Sequence, residues 1–296
     1  MKILVTGATG QVGSDLIQVL HGQQPRAGRA TALLGAEAVR EGEFDVVAFS
    51  HSDLDITNAQ AVSDAMASLR PDEVVNLAAY TKVDLAEDHE VEAYLVNETG
   101  TRHLAQAAEQ CGARTIHIST DYVFSGDLGR ALVESDETNP QSVYGASKLA
   151  GEAHVGLGTV VRSSWIVGLG GRTVIDVAIS AAQEGRELKF VADQVGTLTS
   201  SADLAAGLVA LIREPLDGVV HLAGSGEASW FEIIASAVEL AGGSRDQVQP
   251  IATSDLNPPQ RAKRPSYSPL ISERLSNTLP DWSDGLERLV RARLND

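Results

Sequence analysis

Residues 1–13, MKILVTGATGQVG, decide the fold of this chain. The apolar run at residues 3–5 predicts a buried strand, and three glycines spaced three apart follow it, Gly7, Gly10 and Gly13. Apolar residues then recur at helical spacing over the next two turns. Glycines between a strand and a helix permit a tight turn, close approach of backbone to a phosphate and close helix–strand packing. A plain turn would use the same residues, but this position favours a dinucleotide site.

The composition is typical of a folded globular protein. The chain has 296 residues, of which 43% are hydrophobic, enough for one large core with a smaller lobe. We find no apolar run near 18 residues, no solenoid repeat and no signal-peptide pattern. Cys111 is the single cysteine, which excludes an internal disulfide and a cysteine metal cluster. We therefore expect a cytoplasmic protein, as a monomer or homodimer.

The chain is strongly acidic, with a formal net charge of −17. Nucleic acids and anionic membranes both need a basic face, so neither is an expected partner. The acidity could serve solubility alone. An anionic ligand would nevertheless need local positive charge, so the sparse basic residues are candidates for binding it.

The first half of the sequence alternates strand and helix patterns, which predicts a parallel sheet wrapped by helices. Predicted strands lie at residues 44–49, 73–78, 114–119 and 158–165, and predicted helices at 58–69, 90–112 and 144–155. Residues 21–43 read as a loop or irregular helix. The later segments are helical at 204–212, 230–241 and 286–294, with a strand at 219–222.

These patterns predict an α/β fold, a Rossmann-type doubly wound parallel sheet with a smaller C-terminal lobe. We assign residues 1–165 to the dinucleotide-binding domain and residues 166–296 mostly to a substrate-binding lobe. The segment at about 200–222 is expected to return to the large sheet.

Three side chains form the candidate catalytic set. Tyr144 and Lys148 share one face of a predicted helix, and Thr120 ends the preceding strand at the edge where the glycines lie. A nearby ammonium should lower the tyrosine pKa from about 10, so that the phenol can protonate a carbonyl oxygen. Thr120 would orient that oxygen. Each residue alone could be structural, but together with the glycines they favour hydride transfer from a nicotinamide.

The order and spacing of these residues resemble the extended short-chain dehydrogenase/reductases, which carry a TGxxGxxG turn. Within them, STDYVFSG at residues 119–126 and YGASKLAGE at 144–152 resemble the dTDP-4-dehydrorhamnose reductase family. The strings at residues 76–87, 96–100, 162–165 and 264–270 are similar too, so the resemblance covers nearly the whole chain. It implies reduction of the C4 keto group of dTDP-4-dehydro-L-rhamnose with NAD(P)H, the last step of dTDP-rhamnose synthesis.

The resemblance also implies roles for individual residues. The expected cofactor-binding residues are Gly7, Gly10, Gln11, Val12, Gly13, Ser50, Asp55, Ile56, Ala78, Ala79, Tyr80, Tyr144 and Lys148. Thr120, Asp121 and Trp165 would meet the sugar, although Trp165 could instead fill the seam between lobes. His117 is expected to be a packed core residue.

The end of the second predicted strand bears on cofactor preference. NAD-specific enzymes often place a carboxylate there to bond the ribose 2′-hydroxyl. Residues 49–52 read FSHS, with no acid until Asp53. We therefore favour NADPH over NADH, although Ser50 to Ser52 could merely turn the chain.

Basic residues in a proline-flanked loop are candidates for the phosphates of a nucleotide sugar. Arg261, Lys263 and Arg264 cluster there, and we expect Arg264 and Lys263 to bind the phosphates. A solvated basic loop is the alternative. Arg172 lies near the end of the strand that carries Trp165.

The sequence departs from the family at three points. The insert-like stretch at residues 21–43 is longer than the resemblance leads us to expect. The Gly-x-Pro-Thr string that follows an Asp-Gln pair lacks its proline here, at residues 196–199. Some family members use a glutamate at the position of Asp15 in a magnesium site at a dimer interface. Aspartate can ligate Mg²⁺, but the sequence does not place its partner ligands, so no metal site is assigned.

Two other functions fit the same glycine turn. A nucleotide-sugar epimerase or dehydratase would use bound NAD without net turnover, but Tyr122 stands where a dehydratase would place a second carboxylate. A non-catalytic cofactor-binding subunit, like a relative that regulates methionine adenosyltransferase, would not need Thr120, Tyr144 and Lys148 together.

Overall fold

The computed structural model describes residues 1–28, 38–276 and 279–295. The interpretation of residues 21–43 falls partly outside these ranges, at residues 29–37. Within them, the strands are β1 (Lys2–Thr6), β2 (Asp45–Phe49), β3 (Glu73–Asn76), β4 (Arg114–Thr120), β5 (Thr159–Ser163), β6 (Ile166–Val167), β7 (Leu188–Val191), β8 (Val195–Gly196), β9 (Thr199–Ser200), β10 (Gly218–His221), β11 (Ala228–Ser229) and β12 (Val248–Ile251).

The α-helices of the described residues surround the strands. They are α1 (Gln11–Leu20), α2 (Ala59–Leu69), α3 (Val83–Ala86), α4 (Glu90–Tyr94), α5 (Thr101–Cys111), α6 (Val143–Glu152), α7 (Val174–Glu184), α8 (Ser201–Arg213), α9 (Trp230–Leu240) and α10 (Trp282–Leu294). In the part of the chain that is described, no helix combines the length and apolarity needed to cross a membrane.

Six strands form a parallel sheet in the order β10–β5–β4–β3–β1–β2. Alternate side chains of β1 enter different cores, as the two-residue period of a strand requires. Ile3 and Val5 pack with α1 and α8 on one face, whereas Leu4 packs with α2 and α5 on the other. The predicted α/β doubly wound fold is confirmed.

A second core lies in the later half of the chain. Buried residues of α7, α9 and α10 pack together there, and β7 pairs with β12 beside them. Two later elements belong with the large sheet. Strand β10 pairs with β5, and helix α8 packs beside α1.

The helix predicted at residues 90–112 differs in one detail. Helices α4 and α5 are joined by a π-helical segment, Leu95–Gly100, rather than by continuous α-helix. The side chain of Asn97 in this segment accepts a hydrogen bond from the backbone N–H of Tyr80 at 2.8 Å. Such π segments are frequent at functional sites, and this one holds the loop that follows β3.

Candidate active site

A cleft of about 880 Å³ opens at the carboxyl ends of the sheet strands. It lies where β1 is flanked by β2 on one side and β3 on the other, the reversal of strand order at which such folds bind ligands. Its volume is within the usual range for ligand pockets. The predicted site residues that line it are Gly7, Gly10, Gln11, Val12, Gly13, Ser50, Asp55, Ile56, Ala78, Ala79, Tyr80, Thr120, Asp121, Tyr144, Lys148 and Trp165.

The glycine turn is packed too closely for larger residues. Gly7 has a φ of +70°, and a Cβ there would lie 2.6 Å from the carbonyl carbon of Leu77. A Cβ on Gly13 would lie 2.3 Å from the carbonyl oxygen of Gly7. The close approach of β1, β3 and α1 therefore depends on these two glycines.

The N-terminus of α1 faces the cleft without a capping side chain. Gly10 is its N-cap residue, and no acidic residue occupies the first turn. The Gln11 side-chain oxygen is buried and has no hydrogen-bond partner among the described residues. Uncapped N–H groups and the positive end of the helix dipole suit a pyrophosphate, so this cradle fits a dinucleotide.

Helix α6 brings the tyrosine to the cleft. The side chain of Ser142 caps the helix by accepting the N–H of Gly145 at 3.2 Å. A Cβ on Gly145 would lie 2.2 Å from the carbonyl oxygen of Tyr122, so this glycine lets α6 lie directly against the segment after β4. The ring of Tyr144 meets that of Tyr122 edge to face, with centroids 5.5 Å apart.

The protonation of Tyr144 differs from our expectation. Burial raises the pKa of Tyr144 to about 12, although a hydrogen bond with Thr120 acts in the opposite direction. Our expectation that Lys148 lowers this pKa is wrong, because burial outweighs the other influences. The lysine Nζ turns inward instead, donating to the carbonyl oxygen of Ile118 at 2.5 Å.

Lys148 is almost completely buried beneath the cleft that it lines. Its Nζ lies 3.3 Å from Nε2 of His117, on the neighbouring strand β4. Burial lowers the pKa of Lys148 to about 8, whereas the negative charge of Glu152 acts to raise it. Lys148 can therefore gain or lose a proton near neutral pH.

Asp121 stands beside the catalytic candidates. Its carboxylate accepts hydrogen bonds from Ser268 at 2.6 Å and from Thr120 at 3.1 Å. Burial raises the pKa of Asp121 to about 6, and both hydrogen bonds act to lower it. Asp121 is thus held in place to fix the hydroxyl of Thr120.

An aromatic pair borders the cleft on the side of the second lobe. Trp165 stacks on Trp230, with ring centroids 4.3 Å apart and planes 13° apart. Trp165 has a φ of +44°, which is costly for a bulky residue, and its ring fills the space where a Cβ on Gly196 would lie. Neighbours on α9 and β8 therefore hold this indole in place.

Lys263 and Arg264 are not among the residues that line the cleft. Arg264 donates to the carboxylate of Asp84 at 2.9 and 2.7 Å, and Lys263 donates to Gln141 at 3.2 Å. Their predicted contact with phosphates is not supported, because acidic and polar side chains already engage them. The arginine that does line the cleft, among the described residues, is Arg172.

The end of β2 presents hydroxyl and imidazole groups to the cleft. Ser50 and His51 line it, whereas Asp53 does not. The Asp53 carboxylate accepts the backbone N–H of Ser50 at 2.9 Å and its hydroxyl at 2.5 Å. These hydrogen bonds lower the pKa of Asp53 and hold its carboxylate in the turn.

The structure gives no support to magnesium at Asp15. Asp15 is buried, and its carboxylate accepts a hydrogen bond from Ser201 inside the fold. Burial raises the pKa of Asp15, which disfavours the charged form that would bind a metal. Within residues 1–28, 38–276 and 279–295, no group of three His, Cys, Asp or Glu side chains could hold an ion.

Sequence reasoning missed several residues that hold the site. Asn76 and Asn97 are buried polar side chains hydrogen-bonded near the cleft, and Trp230 supports Trp165. His117 is buried in the core as expected, but its hydrogen bond with Asn76 was not foreseen. Asn76 ends a strand beside the glycine turn, and this position alone could have marked it. The partners of the others come from distant segments.

Comparisons of the sequence and of the structure with known proteins point to the same family. The model of the family described as RmlD substrate binding domain matches residues 1–294. A dTDP-4-dehydrorhamnose reductase of Mycobacterium tuberculosis is 38% identical over 309 residues, covering 99% of this chain and 94% of the relative.

Solved structures agree. A dTDP-4-dehydrorhamnose reductase from Clostridium acetobutylicum has a TM-score of 0.88 and 35% identity, covering 99% of this chain and 100% of that one. The Bacillus anthracis enzyme of the same name, solved in complex with NADP, has a TM-score of 0.86 and 34% identity. That comparison covers 97% of this chain and 98% of the other.

Proposed function

The chain belongs to the family described as RmlD substrate binding domain, and we propose on that basis that it is a dTDP-4-dehydrorhamnose reductase. It reduces the C4 keto group of dTDP-4-dehydro-L-rhamnose with NAD(P)H and yields dTDP-L-rhamnose. The observation that carries this function is the convergence of Thr120, Tyr144 and Lys148 with the glycine turn in one cleft.

The residues present suit proton delivery during reduction. A bound nicotinamide cofactor supplies the hydride. A phenol whose pKa is raised to about 12 stays protonated at neutral pH, so Tyr144 holds the proton that the product oxygen needs. The Thr120 hydroxyl has one hydrogen, which it donates to Asp121 at 3.1 Å, so Thr120 donates to the same oxygen only when its O–H rotates from Asp121 to the substrate.

Recognition of the sugar nucleotide is assigned to two further groups. Trp165 offers an apolar face held by Trp230, which suits a deoxy sugar. Arg172 lies on the cleft and can bond phosphate oxygens bidentately, the role that the sequence had suggested for Arg264.

NADPH is the cofactor that the end of β2 favours. Ser50 and His51 face the cleft there, and the nearest following carboxylate, Asp53, is occupied by Ser50. Neither Ser50 nor His51 carries a negative charge that would repel a 2′-phosphate. The Bacillus anthracis relative in complex with NADP supports the same preference.

Two arguments disfavour the alternative functions. A dehydratase needs a second carboxylate next to Asp121, but Tyr122 is there and its ring packs edge-on against Tyr144. A silent binding subunit would not need a buried lysine and a half-buried tyrosine on one face of α6.

A coupled assay tests this function. Purified protein is mixed with dTDP-4-dehydro-6-deoxyglucose, the C3/C5 epimerase and either NADPH or NADH, while reduced-nicotinamide absorbance is followed. We expect rapid loss of absorbance that requires the epimerase, and a higher kcat/KM with NADPH. No oxidation of either cofactor would refute the reductase function, and oxidation without the epimerase would point to a different sugar.

A further inference from the structure

His117 is a buried histidine between two polar groups. It lies in the middle of β4 with 0% of its surface exposed. Its Nδ1 is 3.1 Å from Nδ2 of Asn76, and its Nε2 is 3.3 Å from Nζ of Lys148. Core packing explains neither contact. In each contact, the position of the proton decides which group donates and which accepts.

The orientation of the Asn76 amide fixes the first of these protons. Asn76 Oδ1 accepts the hydroxyl of Thr6 at 2.8 Å and the backbone N–H of Ala78 at 3.2 Å. Because a backbone N–H can only donate, the oxygen of the amide must lie on that side. The Nδ2 group therefore donates to Thr101 Oγ1 at 3.3 Å and to Nδ1 of His117.

The histidine proton follows from this orientation. Burial holds the pKa of His117 well below its usual range, and the charge of Lys148 acts in the same direction, so the ring is neutral. A neutral imidazole carries one N–H. Since Nδ1 accepts from Asn76, the proton is on Nε2 and points at Nζ of Lys148.

We propose that His117 is a positioning residue for Lys148: the Nε2–H of His117 points at the lysine Nζ and so favours the neutral amine over the ammonium. An ammonium has three donors and no acceptor, whereas a neutral amine has one lone pair and two N–H groups. The lone pair accepts from His117, and one N–H donates to Ile118. The second N–H is then available to a ligand in the cleft.

The other charged groups near Lys148 do not override its contact with His117. Glu152, one turn along α6, favours the ammonium, but it is paired with Arg162 at 2.7 Å. Glu98, on the π-helical segment, is 3.5 Å from His154. The other titratable groups that line the cleft beside α6 are Asp121, Tyr80, Tyr122 and Tyr144.

The consequence for catalysis rests on the proposed function. After Tyr144 gives its proton to the product oxygen, the phenolate must be reprotonated, and the protonated form of Lys148, one turn along α6 on the same cleft, can supply that proton. The rate should therefore fall as the pH rises through the pKa of Lys148, which burial places at about 8. His117 acts to lower that pKa, so the histidine sets the upper end of the working pH range.

Nitrogen-15 NMR of the histidine rings tests the proton positions without substrate or turnover. His117 should show a protonated Nε2 and an unprotonated Nδ1 across neutral pH. His221 provides an internal comparison, because its Nδ1 lies 3.0 and 3.2 Å from the carbonyl oxygens of Ile271 and Leu132 and must donate. The two buried histidines should therefore show opposite tautomers. A protonated Nδ1 on His117, or a charged ring, would overturn the proposal.

A pair of variants tests the effect on Lys148. His117→Gln can turn an amide oxygen toward the lysine, so the alkaline limb of kcat should move up by about one pH unit. His154→Gln, on the far side of the same helix end, should leave the limb in place. If His117→Gln folds and the alkaline limb of its kcat–pH profile does not move, the proposal is contradicted. If that variant does not fold, the tautomer of His117 still decides, its signals being assigned by removing the other six histidines singly.

Discussion

Arg264 and Asp84 lie 180 residues apart in the chain and are joined by two hydrogen bonds of 2.9 and 2.7 Å. This pair holds the pKa of the Asp84 carboxyl well below its usual range, chiefly through the side-chain hydrogen bond from Arg264. Arg264 also contacts Tyr122, which lines the cleft. The arginine thus ties the proline-flanked basic loop to α3, which carries Asp84.

Because Arg264 is paired with Asp84, we assign it a structural role and assign phosphate binding to Arg172 instead. We expect Arg264→Ala to lower the melting temperature by a few degrees and to change the KM for the nucleotide sugar by about twofold or less. Arg172→Ala should raise that KM by about tenfold or more, because a charge-assisted bond to phosphate is lost. Melting curves and steady-state kinetics on both variants check this. A large KM effect in Arg264→Ala with an unchanged melting temperature would restore the phosphate role to Arg264.

The glycine turn gives a prediction about cofactor affinity. Gly13→Ala would place a Cβ 2.3 Å from the carbonyl oxygen of Gly7, so the turn must shift. We expect the Kd for NADPH to rise by about tenfold or more, measured by fluorescence titration. Gly112→Ala is the control, because that glycine ends α5 with a φ of +76° and no atom within 4 Å of its Cβ position. It should cost stability only; equal losses of affinity in both would mean a global defect.

The end of β2 gives a prediction about cofactor choice. His51→Asp adds a carboxylate to the cleft, which would repel a 2′-phosphate and bond a 2′-hydroxyl. The ratio of kcat/KM for NADH to that for NADPH should rise by about tenfold or more. Asp53→Asn should leave the ratio unchanged, since that carboxylate is held by Ser50. A shift toward NADPH in Asp53→Asn would show instead that Asp53 reads the ribose.

The amino end of β3, opposite the cleft, gives a pH-dependent prediction. Burial raises the pKa of Glu73 to about 7, and the guanidinium of Arg114 acts only weakly against this. The unfolded chain loses this proton near pH 4.5 and the folded chain near pH 7, so stability falls as pH rises between these values. Glu73→Gln should remove up to about 3 kcal/mol of this pH-dependent loss in the free energy of unfolding.

Urea unfolding at pH 5 and pH 8 measures this effect. The variant should gain stability over the parent at pH 8 but not at pH 5. Glu109→Gln, an exposed position on α5, is the matched control and should show no pH-dependent difference. A gain for Glu73→Gln that is equal at both pH values would mean that the residue acts through packing.

The sequence was sufficient for the fold because the signals were local. Strand and helix periods alternate in order, and Gly7, Gly10 and Gly13 lie within one turn. The spacing of Tyr144 and Lys148 likewise placed both residues on one helix face that lines the cleft. These are properties of neighbouring residues.

What the sequence could not give depends on distant contacts. Asp84 engages Arg264, and Ile118 with His117 draws the Lys148 Nζ inward. Neither pairing has a local pattern. For the same reason the raised pKa of Tyr144, which follows from burial, was not foreseen.

Tyr144 as the proton donor is the central claim, and the variant Tyr144→Phe tests it most directly. Phenylalanine keeps the ring that packs against Tyr122 and removes the one group that carries the proton. We predict that kcat for NADPH-dependent reduction of the keto sugar falls by about 10²–10⁴-fold, while the Kd for NADPH changes by about twofold or less. A kcat within about tenfold of the parent, with the cofactor bound equally well, would contradict the account.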